Sequence, residues 1–266
     1  MKQVDMHAHV FEPGLKLASV RRYAPTYTAS IEDFIANFES KGLNCGCLIQ
    51  PSFLGTDNSY MLQAIDAYPT KMYGVAVIDP ETITFEELQE MNNHNIIGIR
   101  LNLYGVELPD LKSDAWVKCL AYIKKLNWHV ELHFDAVGLI DYIDTLLSAG
   151  VKVVIDHFGK PNPEAPLEDP GFKHILSVGA TKRVWVKVSA CYRLGGLEKG
   201  KVAAKQMIPA LLAAFGSERL LWGSDWPHTQ FESDITHDLM WEAFEEIIPA
   251  EHRENILSRA FEEILP

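Results

Sequence analysis

The sequence lacks the features that would place it among secreted, membrane or nucleic-acid-binding proteins. Its four cysteines, Cys45, Cys47, Cys119 and Cys191, are too few in 266 residues for the disulfide framework of a small secreted domain. No apolar run approaches the roughly 18 residues of a membrane span. The opening MKQVDMHAHV lacks the long apolar segment of a secretory leader. Low-complexity tracts and Gly/Ser linkers are missing, so no domain break is expected and residues 1–266 read as one domain. Positive charge is scarce as well: 24 Lys and Arg face 36 Asp and Glu, a formal net charge of -12. Without a basic stripe, the chain is not expected to bind nucleic acid or an anionic membrane. What remains is a soluble, cytoplasmic globular protein, 47% hydrophobic and large enough for a substantial core.

What is present is a rhythm. Short runs rich in Val, Ile, Leu and aromatics occur at Gln3–Ala8, Cys45–Pro51, Tyr73–Asp79, Ile96–Asn102, Trp128–Phe134, Lys152–His157, Val184–Ser189 and Leu220–Ser224. Their lengths suit strands. Between them lie stretches of helical period, such as IEDFIANFESKG with Ile31, Phe34, Ile35 and Phe38 on one face and Gly42 as a stop. FEELQEMNNH, SDAWVKCLAYIKKL, GLIDYIDTLLSAG, FKHILSVGA and AAKQMIPALLAAF follow the same pattern. Ser113 suits an N-cap, and Glu32 and Asp33 suit a helix N-terminus. Alternation of strand and helix implies a parallel sheet with right-handed crossovers. Dividing 266 residues by eight gives about 33, the size of one strand–helix unit. A closed, distorted (β/α)8 TIM barrel with extra helix after the eighth strand is therefore expected, ahead of an open doubly wound sheet. Gly159–Gly171, with four prolines, is expected to be an active-site loop.

In such a barrel the chemistry gathers where strands end. The first strand ends in Asp5-Met6-His7-Ala8-His9, and period two puts His7 and His9 on one face with Asp5 below. A histidine pair at that spacing suits a divalent metal or, equally, two hydrogen-bonded structural histidines. The fifth strand ends at His133, the sixth at Asp156-His157 and the eighth at Ser224-Asp225. Each alone has a structural explanation. Together they place four histidines and a carboxylate at one barrel mouth.

With these residues in place, the chain resembles the amidohydrolase superfamily, and within it the 2-pyrone-4,6-dicarboxylate lactonase-like branch. DMHAHVFEP, RYAP, IQPSFLGTDN, GVAVIDP, GIRLNL, IDHFGKP and WGSDWPH carry the resemblance, in order and at the expected strand ends. It implies a distorted barrel that hydrolyses lactones. It also implies Asp225 as the base that activates water, and His157 as the group that polarises the carbonyl or handles a proton. Tyr23, Ser52, Arg100 and Arg193 fall where that branch binds its anionic substrate, a task that suits the planar fork of arginine. Lys160 and His228 are further candidate substrate contacts. The chain departs from the pattern at His133, where the branch has tyrosine, at Lys160, where it has arginine, and at Val106, where a second arginine is missing. These departures leave dicarboxylate and sugar-acid lactones both open.

His133 also opens the metal question. His7, His9, His133 and Asp225 could complete a mononuclear site, Zn²⁺ being the expected ion, although the resemblance is to a metal-free subgroup. The alternative functions are a metal-dependent decarboxylase of the same superfamily and a non-catalytic barrel that binds a small carboxylate. Cys45 and Cys47 are expected in the core. Glu131 reads as a buried acid supporting a histidine or an ion pair, Lys187 has no assigned role, and His94, His174, His237 and His252 fall in helical or surface-like contexts with no catalytic role expected.

Overall fold

Runs of β-branched and apolar residues with no polar alternation form strands that are covered on both faces, which is the situation of a parallel sheet flanked by helices. The computed structural model describes residues 1–266. Its strands are β1 (Val4–Ala8), β2 (Cys45–Ile49), β3 (Met72–Ala76), β4 (Ile96–Asn102), β5 (His129–His133), β6 (Lys152–Ile155), β7 (Val184–Lys187) and β8 (Leu220–Leu221). They hydrogen-bond in sequence order, and every adjacent pair is parallel. An open doubly wound sheet would reverse its strand order at a switch point. This one does not, and the expected (β/α)8 barrel is what forms.

The surrounding helices are α1 (Ile31–Glu39), α2 (Ser59–Ala67), α3 (Phe85–Asn93), α4 (Asp114–Lys125), α5 (Ala136–Ala149), α6 (Pro170–Ser177), α7 (Leu197–Phe215) and α8 (His237–Ile247). Local chemistry starts several of them. Ser30 accepts from the Asp33 amide at the head of α1, Ser113 from the Trp116 amide at the head of α4, and Thr84 and Glu87 form a reciprocal capping box on α3. Helix α2 was not legible as a periodic segment: it has nine residues, no side-chain cap, and starts inside a polar turn. Helix α6 begins at Pro170, where Asp169 accepts from the Gly171 and Phe172 amides, so the irregular stretch after β6 ends slightly earlier than expected. After α8 the chain continues through α9 (Ala250–Glu254), a π turn at Asn255–Arg259 and α10 (Ala260–Ile264). Ala260, Phe261 and Ile264 of α10 pack with Val4, Met6, Cys47, Ile49 and Val154, closing the lower end of the barrel interior. Cys45 and Cys47 are buried there, as expected. No helix is long and apolar enough to cross a membrane.

The seam between β1 and β8 positions the site. β8 contributes only two residues to the sheet, and closure continues beyond it through backbone bonds: Met6 N–H to Trp222 O (2.9 Å), Asp225 N–H to His7 O (2.8 Å) and His9 N–H to Trp226 O (2.8 Å). These bonds fix the backbones of His7, His9 and Asp225 to one another. The approach is so close that a Cβ on Gly223 would lie 2.6 Å from His7 N and 3.0 Å from its Cα. The register also shifts between Asp5 and Ala8. Asp5 is therefore not below the histidines: its Oδ1 accepts from the His7 and Ser224 amides, and its Oδ2 lies 3.4 Å from His237. His237, the first residue of α8, is buried against it.

Replacing Gly223 by alanine should push β8 away from β1 and destabilise the protein by about 1–3 kcal/mol, the usual cost of overpacking. Urea denaturation would measure it. A midpoint equal to that of the parent protein would show that the seam yields freely.

Candidate active site

The barrel interior carries its polar groups in layers. The lowest consists of His7, Glu131, Asp156 and Lys187, all essentially inaccessible. Lys187 Nζ lies 2.5 Å from Glu131 Oε1, 3.0 Å from His7 Nδ1 and 3.4 Å from Asp156 Oδ1. Glu131 Oε1 also lies 3.3 Å from His129 Nε2. Asp156 Oδ2 accepts from Arg100 Nε and Nη2, each at 2.8 Å. Arg100 is thus a buried, paired cation rather than a solvated loop charge.

Above this layer stands Asp225. Its Oδ2 accepts from the Tyr192 hydroxyl at 2.5 Å and from Arg193 Nε at 2.6 Å. Its Oδ1 faces three imidazoles: His7 Nε2 at 3.6 Å, His9 Nε2 at 3.7 Å and His157 Nε2 at 4.0 Å. Burial would raise the Asp225 pKa, but the Arg193 guanidinium beside it holds the carboxyl well below the usual range. Asp225 is therefore ionised at neutral pH. Burial lowers the pKa of His157 to about 3 and that of His228 to about 4, and takes His7 and His133 well below their ordinary value. His157 Nδ1 is 2.9 Å from Ser189 Oγ, and His9 Nδ1 is 2.7 Å from the Ile49 carbonyl, to which it can only donate. That bond orients the ring so that His9 Nε2 faces Asp225. His157 and Asp225 both sit at positive φ, 51° and 61°. Such backbone is costly for residues with a Cβ and persists where the surroundings fix it, often at functional sites.

Over this floor opens a cavity of about 240 Å³, somewhat below the roughly 300 Å³ at which sites for drug-sized ligands begin. His9, His133, His157, Arg193 and Asp225 form its base, with Tyr23, Ser52, Arg100 and Lys160 around them. The structure thus brings together most of the residues expected there. His228 is not among them: it is buried beside Tyr192, ring centroids 6.2 Å apart, and does not line the cavity. The cavity also presents groups the sequence did not single out, namely Arg22, Asn102 and Tyr104. Arg22 and Lys160 both lie over the Tyr104 ring, 5.3 and 4.1 Å from its centroid. Unlike Arg100 and Arg193, neither is paired with a carboxylate; burial lowers the pKa of both.

Residues 4–262 match the family model described as amidohydrolase. The chain belongs to the amidohydrolase family. A solved structure from Acinetobacter baumannii, described as a probable 2-pyrone-4,6-dicarboxylic acid hydrolase with citric acid bound, superposes with a TM-score of 0.94; identity is 40%, and 99% of each chain is covered. The 2-pyrone-4,6-dicarboxylate hydrolase of Comamonas testosteroni is 29% identical over 245 residues, 88% of this chain and 80% of that protein. The 4-sulfomuconolactone hydrolase of Rhizobium radiobacter is 28% identical over 235 residues, 85% of this chain and 76% of that protein.

Two groups of side chains in this amidohydrolase have the spacing of metal ligands: His7, His157 and Asp225, and His7, Glu131 and Asp156. The first differs from the expected set. His9 and His133 are both outside it, and His157 takes their place; His133 packs edge-on against His157 (5.1 Å) and Tyr104 (5.0 Å). The donor chemistry of His7 does not suit a metal in the first group. The Lys187 ammonium, which can only donate, stands 3.0 Å from His7 Nδ1; with Nδ1 accepting from it, the ring proton of a neutral imidazole would lie on Nε2, the atom facing Asp225. A metal there would need the Nε2 lone pair and would turn an Nδ1–H against the ammonium. In the second group Lys187 already contacts all three donors.

The buried neutral histidines predict acid lability. Unfolded, each titrates near pH ~6.5; in this amidohydrolase His7, His133, His157 and His228 resist protonation until far lower pH. Below pH ~6.5 the unfolded chain binds protons that the folded one does not, so stability falls with pH, by up to about 1.4 kcal/mol per group per unit. Urea midpoints should decline steadily from pH about 6.5 to about 4.5. A flat profile would contradict the neutral, buried state of these rings.

Proposed function

We propose that this amidohydrolase opens an anionic lactone by attack of water on the ring ester carbonyl, with Asp225 as general base. The observation that carries the proposal is Asp225 at the cavity base, its Oδ1 facing His7, His9 and His157, beneath Arg22 and Lys160, which form no ion pair with a protein carboxylate. The hydrolases similar to this chain are named for a dicarboxylate pyrone and a sulfonated muconolactone. Arg22 and Lys160 favour a substrate of that charge class, with a carboxylate or sulfonate seated between them and Tyr104. Tyr23, Ser52 and Asn102 supply neutral hydrogen-bonding groups on the rest of the wall.

In the reaction, Asp225 Oδ1 takes a proton from water as the oxygen attacks the carbonyl carbon. Negative charge develops on the carbonyl oxygen. With Ser189 donating to its Nδ1, neutral His157 presents Nε2–H to that oxygen, and Arg193 adds positive charge nearby. His9, oriented by the Ile49 carbonyl, holds its Nε2 beside the water's position at Asp225 Oδ1. The tetrahedral intermediate collapses with cleavage of the ring C–O bond, and the proton held by Asp225 passes to the departing alkoxide. The product is the open hydroxy acid or, from an enol lactone, the enol acid that tautomerises to a keto acid. A bound Zn²⁺ would supply hydroxide at neutral pH, but Lys187 against His7 opposes that ion, and no step above requires it.

A pH-indicator assay over dicarboxylate, sulfonated and sugar-acid lactones, run with and without chelator, tests the proposal. Acid release from an anionic lactone, unchanged by chelator, is expected. Loss of all activity in chelator would restore the metal, and carbon dioxide release without acid would point to decarboxylation. Asp225→Asn should lower kcat by roughly 10²–10⁴-fold, the usual worth of a general base, with the fold retained.

Arg22→Ala is expected to act differently. It should raise KM about tenfold with kcat nearly unchanged, as loss of uniform binding does. A selective fall in kcat would place Arg22 in the chemical step instead.

A further inference from the structure

Lys187 is a charged side chain with no direct part in lactone opening. It stands on β7 with 0% exposure, and an ammonium so placed costs several kcal/mol in lost hydration unless each of its protons is matched. Two hydrogen bonds, to Glu131 Oε1 at 2.5 Å and His7 Nδ1 at 3.0 Å, and a longer ion pair with Asp156 Oδ1 at 3.4 Å offset that cost. Burial draws the Lys187 pKa down, and Glu131 and Asp156 more than reverse this, so the charge is retained.

Two features go beyond a structural ion pair. The first is the company Lys187 keeps. Donor atoms of His7, Glu131 and Asp156 lie within 4.8 Å of one another, a spacing suited to a single divalent ion, and an imidazole with two carboxylates is a set that zinc accepts. The second is directional. With Nδ1 accepting from the ammonium, the proton of neutral His7 is on Nε2, 3.6 Å from Asp225 Oδ1. Asp156 Oδ1 is also near Nδ1, but at the longer distance of 3.5 Å, and that oxygen already faces Lys187.

We propose that Lys187 is a resident cation occupying the place of a divalent ion among His7, Glu131 and Asp156, and that it fixes the His7 proton on Nε2, directed at Asp225. Lys187 is thus a positioning residue, since it reaches the reacting atoms only through His7. The proposal rests on the barrel interior alone and stands whether or not the substrate is a lactone.

Two measurements test it. The parent protein labelled with ¹⁵N-histidine, with His7→Gln for assignment, reports the His7 tautomer directly. A protonated Nε2 and a bare Nδ1 are expected; a protonated Nδ1 overturns the proposal. Cobalt(II) then probes the cage, read by its visible absorption and by ion content per chain. The parent and Lys187→Arg should bind none there. Lys187→Ala, shown to be folded by circular dichroism, should bind one ion per chain and lose it again when Glu131→Gln is added. A folded Lys187→Ala that binds no more cobalt than the parent overturns the proposal, as does a parent protein that itself binds one ion lost with Glu131→Gln. If Lys187→Ala does not fold, the tautomer and cobalt measurements on the parent still decide.

Discussion

Everything at the mouth of this barrel depends on charge balance in its interior. Glu131, Asp156 and Asp225 are buried carboxylates, and Lys187, Arg100 and Arg193 are set against them at 2.5–2.8 Å. A lone buried carboxylate would recover its solvation cost by taking up a proton and losing its charge. Paired, Asp225 stays an anion and can serve as a base. The same balance keeps the neighbouring imidazoles neutral, because burial already disfavours their charged forms and the local positive charges are supplied by Lys and Arg. An ionised carboxylate among neutral imidazoles is the electrostatic state that base-activated hydrolysis requires.

The balance can act only because the backbone holds these groups in place. His7, His9 and Asp225 belong to strands joined at the barrel seam by backbone hydrogen bonds, and the missing side chain of Gly223 permits that approach. His157 and Asp225 follow strand ends in left-handed backbone, which turns their side chains together. Strain of this kind costs on the order of 1–3 kcal/mol per residue and is tolerated in a well-packed frame. The apolar shell between strands and helices, together with α10 beneath the barrel, supplies that frame.

Charge is arranged differently at the rim. Arg100 and Arg193 are spent on protein carboxylates, while Arg22 and Lys160 rest on Tyr104. The position of Val106, where the related branch has an arginine, is thus offset from another loop, since Arg22 comes from the segment between β1 and α1. A chain of net charge -12 can in this way present a locally cationic mouth to a small anion.

The sequence by itself determined the architecture. Strand and helix periods, capping residues and turn glycines are local signals, and they placed eight strands and nearly all helices; the short, uncapped α2 was beyond their reach. It also determined that His9, His133, His157 and Asp225 would converge, because strand ends of a parallel barrel share one face. Pairing was decided only in three dimensions. That Arg100 would pair with Asp156 while still lining the cavity, whether His228 would reach it, and where Asp5 would turn all depend on contacts between strands distant in sequence. Ser189, Tyr192 and Arg193 mark the end of β7 as plainly as the histidines mark β5 and β6, yet only Arg193 stood out, because hydroxyls become informative once their partners are known. Lys187 is the sharpest case. A lysine in a strand has no meaning alone, and its role came from Glu131, His7 and Asp156, which only barrel closure brings within 3.4 Å of its nitrogen.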